Sequence, residues 1–235
     1  MSSFSNRGIG QTQTTASVDQ GLRTHMIKVY NYMASGLALS GLVSWLVMSN
    51  PQLASVVMSL NIIWFIATLV MAFAVMPRMM RMSEGGAKLS FYGYAVLLSL
   101  MVSPIFLAYT HESVARAFFV TAAVFLSMSL YGYTTKKDLT SFGTFAMIGI
   151  WGVFFASIIN IFVGSSQVMF ITSVVAVVAS VALTAYDTQK IKQVYFMVGR
   201  DSAAASKAAI MGALQLYFDF VYMFINLLQI MGNRR

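Results

Sequence analysis

Apolar residues come in long, nearly unbroken stretches along this chain. Seven of them approach the ~20 residues a helix needs to cross a bilayer: 27–48, 53–76, 89–109, 114–133, 142–163, 168–187 and 208–231. The connections alternate in character. Those after the first, third and fifth stretches are short (SNPQ, THES, GSSQ), whereas those after the second, fourth and sixth are basic. Only helices and closed barrels satisfy every backbone group inside a bilayer, and the ten-residue alternating segments of a barrel are not seen. The pattern therefore predicts an all-α, polytopic membrane protein with one transmembrane domain over residues 25–235. Residues 1–24, rich in Ser, Thr, Gln and Gly, are expected to form a disordered cytoplasmic tail. They do not read as a signal peptide, because the apolar run comes late, is too long and lacks a cleavage site. Segment 189–207 is amphipathic and basic, and reads either as an inner-surface continuation of the sixth helix or as a solvated loop.

Composition agrees with this pattern: 58% of residues are hydrophobic, only 9% are charged and the mean hydropathy is +0.75, against roughly 25% charged in soluble domains. A net charge of +8 would suit nucleic acid, but the positions of the basic residues argue for topology instead. Arg7, Arg23, Lys28, Arg78, Arg81, Lys88, Lys136, Lys137, Lys190, Lys192, Arg200 and Lys207 fall on one side, leaving Arg116, Arg234 and Arg235 on the other. By the positive-inside rule the N-terminus is expected in the cytoplasm and the C-terminus outside. Cysteine is absent, which excludes disulfide frameworks and thiolate metal sites.

Candidate chemistry lies in polar residues inside the spans. Gln215, Asp219, Tyr222, Asn226 and Gln229 fall within an arc of about 80° at ~100° per residue, one face of the last helix. Ser173, Ser180, Thr184 and Asp187 share a face of the sixth within roughly 60°. Singly, the neutral members are ordinary interhelical hydrogen-bonding groups. The carboxylates are different, because an amide would make similar contacts without the cost of a buried charge. Asp187 and Asp219 are the acidic residues within the spans, and two carboxylates in a low-dielectric site would share a proton and titrate as a pair. Such a pair is a pH sensor. It is also a place where hard, oxygen-seeking Ca²⁺ would replace the proton. No nucleophile–base pair, phosphate loop or His-based metal site is evident, so no enzyme activity and no resident cofactor are expected.

Three blocks carry a family resemblance: "SLYGYTTKKDLTSFG" (129–143), "LTAYDTQKIK" (183–192) and "ALQLYFDFVYMFINLLQIMG" (213–232). They closely resemble the Bax inhibitor family, the transmembrane Bax inhibitor motif proteins, and "LRTHMIKVYNYMASGLALSG" (22–41) looks like that family's first helix. The resemblance implies a bacterial member in the cell inner membrane, with six helices around a central seventh. It implies a pH-sensitive Ca²⁺ leak in which Asp187 and Asp219 share a proton. It also implies an arginine at the cytoplasmic end of the second helix that pairs with the first aspartate, best matched by Arg78 with Arg81 as the alternative. Protons, Ca²⁺ and lipid are then the partners. A second implied role is a non-conducting regulator of another membrane protein, such as a membrane-anchored ATP-dependent protease, with the N-terminal tail as its handle.

One spacing resists a simple picture. Asp187 ends its apolar run, whereas Asp219 lies ~16 Å beyond Ala208 along a helix axis. For the two to meet, the last helix must be offset. It would then leave only ~18 Å from Asp219 to Met231, short of a ~30 Å hydrocarbon core. Either the pair is loose or the last helix sits low.

Overall fold

The computed structural model of the protein describes residues 5–198 and 201–234, the side chains of 5–19 and of Ser202 excepted. Its elements are α1 (Ser5–Ser49), α2 (Pro51–Ser59), α3 (Asn61–Val70), α4 (Glu84–Ala108), α5 (His111–Thr134), α6 (Thr140–Val163), α7 (Ser166–Val198) and α8 (Ser202–Met231). Seven helical segments among the described residues are long and apolar enough to cross a membrane. Helix starts follow local chemistry. The Asn50 side chain accepts from Gln52 and Leu53 N–H ahead of Pro51, Thr110 caps α5 and Asp201 caps α8, each satisfying amide groups that a first turn leaves free. Gly164 closes α6 at φ 68°, in the left-handed region that glycine occupies without steric cost. The backbone of α1 is already helical at Ser5, within the segment read as a tail, while residues 1–4 lie outside the described residues.

The second span departs from expectation. In place of one helix over 53–76, the chain breaks at Leu60 between α2 and α3. The spanning segment is Asn61–Arg81, in which α3 continues through a π-helical turn (Met71–Val75) and a 3₁₀ turn (Met76–Arg81). The polar Ser59 and Asn61 interrupt the apolar run only briefly, so hydropathy averaged over a span-length window passes over the break. The Asn61 amide instead donates to the Met101 carbonyl at 3.3 Å, fixing where α3 starts against α4. Farther on, Pro77 has no N–H to continue an α-helical ladder, and it sits at the start of the 3₁₀ turn.

The last helix is the centre of the bundle. Buried residues make up 67% of the apolar window of α8, against 11% for α6, and α8 packs against α7, α1, α5 and α4. All the basic connections gather at one end. Lys207 donates to the Met80 carbonyl, Gln189 to the Lys137 carbonyl, and Tyr195 stacks near His25 at 5.1 Å. At the far end, Thr110 N–H donates to the Asn233 carbonyl and Asn233 N–H to Ser113 Oγ at 2.9 Å. The C-terminal residues are thus tied to the α4–α5 connection, and α8 reaches the far end. The low-sitting alternative is corrected by this contact. The offset has another source: α7 runs on to Val198 and α8 begins at Ser202, so the α7–α8 pair projects beyond the apolar spans at the basic end.

A carboxylate pair on the inner faces of α7 and α8

The polar faces of α7 and α8 meet. Ser173 Oγ donates to Gln229 Oε1 at 2.8 Å, which sets the register of the two antiparallel helices. Counting from that contact at 1.5 Å per residue, Asp187 lies ~21 Å and Asp219 ~15 Å toward the basic end, an axial offset of ~6 Å. That register and the packing of α7 on α8 put both carboxylates on the two facing polar stripes. Asp219 is buried, and its Oδ2 has no hydrogen-bond partner among the described residues. Asp187 is half-buried.

The rest of the stripe is arranged to leave these carboxylates unsupported. Ser180 donates to its own helix at Ala176 O (2.7 Å) and Thr184 at Ser180 O (2.8 Å), so both hydroxyl protons are used within α7. The Asn226 amide donates to Tyr222 O at 2.8 Å, again within its own helix. Gln229 joins the register contact. Gln215 and Tyr222 are half-buried on the same face without a side-chain partner among the described residues. A buried carboxylate oxygen with no donor is costly. A proton held between the two acids, or a cation, would relieve it.

The arginines are placed elsewhere. Arg78 donates to the Ala74 carbonyl one turn back on its own segment, and neither Arg78 nor Arg81 makes an ion pair with Asp187. Among the described residues the ion pair is Lys88–Glu84 at 2.7 Å. The positive charge that reaches Asp187 is Lys190, three residues on, with its ammonium 5.7 Å from the Tyr186 ring. Spacing alone would have found it, since residues three apart are neighbours on a helix surface, but its charge reads first as a topology signal.

Two further constructions were not singled out in the sequence. Tyr30 of α1, Ser129 of α5 and Thr188 of α7 form a chain of hydroxyls at 2.6 and 2.9 Å, next to Asp187. Gln189 clamps the α5–α6 connection, accepting from Leu139 N–H at 3.0 Å and donating to Lys137 O at 2.8 Å. Apart from Tyr30, their residues lie inside the blocks around 129–143 and 183–192, whose uncharged polar residues are hard to tell from ordinary packing groups. For a hard cation the pair supplies two carboxylates, and no cluster of three or more His, Cys, Asp and Glu side chains occurs among the described residues. Full Ca²⁺ ligation takes 6–8 oxygens, so the two carboxylates would supply only part of such a shell.

Comparison with known proteins places the chain. A family model described as inhibitor of apoptosis-promoting Bax1 matches residues 22–235. An uncharacterized protein of Rickettsia prowazekii is 40% identical over 227 residues, covering 95% of both chains. The inner membrane protein YbhL of Escherichia coli K12 is 37% identical over 219 residues, covering 92% of this chain and 94% of its own. A Caulobacter vibrioides protein is 37% identical over 240 residues, covering 97% and 96%. With its all-α bundle of seven potential spans and a family match running from the first span to the C-terminus, the chain belongs to the Bax inhibitor-1 family of multi-pass membrane proteins.

Proposed function

We propose that the protein is a pH-sensitive cation leak of the bacterial inner membrane, with Ca²⁺ as permeant ion, gated by Asp187 and Asp219. The observation that carries the reading is the buried, donor-free oxygen of Asp219 beside a second carboxylate on the facing helix. With one proton shared between them, the acids hydrogen-bond and hold α7 against α8. When that proton leaves, two like charges face each other, and for a close pair at an effective dielectric of 20 the repulsion is roughly 3 kcal/mol. That is on the order of a hundredfold in the population of a two-state latch. Raising the pH therefore loosens the latch, and Lys190 or bound Ca²⁺ offsets part of the repulsion. The reading assigns the chain transport rather than catalysis, and it takes the basic end as cytoplasmic. The test is Ca²⁺ flux into liposomes holding the purified protein across a pH series. Flux that rises with pH supports the leak, and no flux at any pH overturns it.

A second reading has one observation in its favour. The backbone of α1 continues as helix back to Ser5, ahead of the first span at Gln20, where it would serve a non-conducting regulator as a handle for a membrane-anchored protease. Deleting residues 1–22 would then abolish regulation and leave cation flux unchanged.

A further inference from the structure

A cavity of about 360 Å³ lies on the side of α8 turned away from α7. Its α8 wall is Tyr217, Phe220, Val221 and Phe224, which at ~100° per residue point roughly opposite Asp219 and the polar stripe. α1, α4 and α5 supply the other walls, almost entirely apolar. The polar groups at its floor already have partners: the Tyr217 hydroxyl and Ser40 Oγ are 2.8 Å apart, and Ser99 donates to Ala95 O at 2.6 Å. Ser44 and His111 are the remaining polar residues of the lining, and the rest of it is apolar. A dry apolar space of ligand-pocket size takes an apolar occupant.

The cavity is continuous with the lipid-facing surface. α1 and α5 touch near the basic end through Tyr30 and Ser129 but make no extended packing contact. Their far-end halves leave a mouth between Trp45 and Phe119, both exposed. Gly41 lines this space, and a Cβ added there would meet nothing within 4 Å. His111 stands at the rim. Arg116, exposed a little over a turn further along α5, offers a cation that suits a lipid phosphate, its long stem reaching toward the headgroup level.

We propose that this cavity binds one acyl chain of a phospholipid from the far-end leaflet, entering between α1 and α5 with its phosphate toward Arg116. A consequence rests on the proton-gated reading given above. Repulsion between Asp187 and Asp219 drives α8 away from α7, toward this cavity, so a seated chain opposes opening and lipid occupancy tunes the leak.

The binding claim is tested by native mass spectrometry of the purified protein released from detergent micelles. The wild type is expected to carry a phospholipid mass and Gly41→Phe to lose it. Ala115→Leu, on the α5 lip of the same mouth, should shift in the same direction. Gly152→Phe is the control, since its Cβ also meets nothing within 4 Å but it lies on α6, away from the cavity. Equal retention by Gly41→Phe and the control, or a detergent mass in place of phospholipid, overturns the site. Liposome flux tests the regulatory half separately. Gly41→Phe is expected to conduct less than Gly152→Phe because it fills the space that α8 needs. Equal flux in the two, with lipid lost only from Gly41→Phe, overturns the regulation. Absence of flux in every variant overturns the gating reading and the regulation with it, and leaves the lipid result to stand.

Discussion

At Gly132 the α5 backbone lies close against that of α7, and replacing it tests how tightly the helix carrying Asp187 is held. A Cβ at position 132 would overlap the Ala185 carbonyl oxygen and sit 2.9 Å from its carbonyl carbon and Cα. Comfortable carbon contacts begin at about 3.5 Å, so the helices must separate by on the order of 1 Å. The obstruction is backbone, which has no rotamer to change. Overpacking of this kind costs about 1–3 kcal/mol. Separation also strains the Ser129–Thr188 contact at 2.9 Å, one interhelical hydrogen bond worth ~0.6 kcal/mol. Better helix propensity returns up to about 1 kcal/mol. The expected net loss for Gly132→Ala is thus about 2 kcal/mol. Gly212→Ala meets only the Ile191 side chain, at 2.9–3.1 Å, and should cost less because that side chain can shift. Gly152→Ala meets nothing and should be neutral or slightly stabilising. Reversible unfolding in mixed micelles, followed by circular dichroism, ranks the three. Gly132→Ala as stable as Gly152→Ala would refute the close approach of α5 to Ala185.

The remaining expectations are shorter. Single cysteines introduced into this cysteine-free chain at Lys136 should be labelled only from the cytoplasmic side, and labelling only from outside would reverse the orientation. Lys190→Gln should move the pH midpoint of flux upward, because losing a nearby positive charge favours the protonated acid. Arg78→Ala should move it less, since Arg78 is engaged with Ala74 O; the opposite ranking would restore Arg78 as the latch partner. Bonds from the Thr140 hydroxyl and N–H hold the Asp138 carboxyl below its ordinary value of 3.8. A depressed folded-state value means this carboxylate's contribution is present at neutral pH and is lost only as pH falls through that lowered value. NMR titration of Asp138 with a midpoint at or above 3.8 would contradict the bonds.

The spans and the carboxylate pair were legible because each rests on a property the residues carry wherever they sit. Twenty apolar residues imply a helix in a bilayer, and Asp219 in such a run is anomalous by itself. The break at Leu60 was hidden because two polar residues inside a long apolar run, Ser59 and Asn61, do not by themselves distinguish one helix from two. Reading Asp219 from Ala208 made the last helix seem too short, since polar and small residues from Ser202 onward extend α8 without adding hydropathy. Arg78 was misplaced for a different reason. A long flexible side chain finds a nearby backbone carbonyl as easily as a distant carboxylate, and sequence spacing does not rank the two. The cavity beside Tyr217 depends on α1 and α5 diverging, a relation between elements far apart in the chain.

Everything in the functional reading turns on whether the proton of Asp219 is exchanged during gating. Asp219→Asn keeps the size of the side chain and its hydrogen-bonding capacity but has no proton to lose. The most direct measurement is Ca²⁺ flux into liposomes across a pH series for the wild type, Asp219→Asn, Asp187→Asn and the double variant, each confirmed as folded and inserted. The account predicts that wild-type flux rises with pH and that Asp219→Asn is flat. Asp187→Asn should behave alike, and the double variant should add little, because the two acids titrate as one unit. A normal pH response in Asp219→Asn would contradict the account and leave this carboxylate as a costly packing residue on α8.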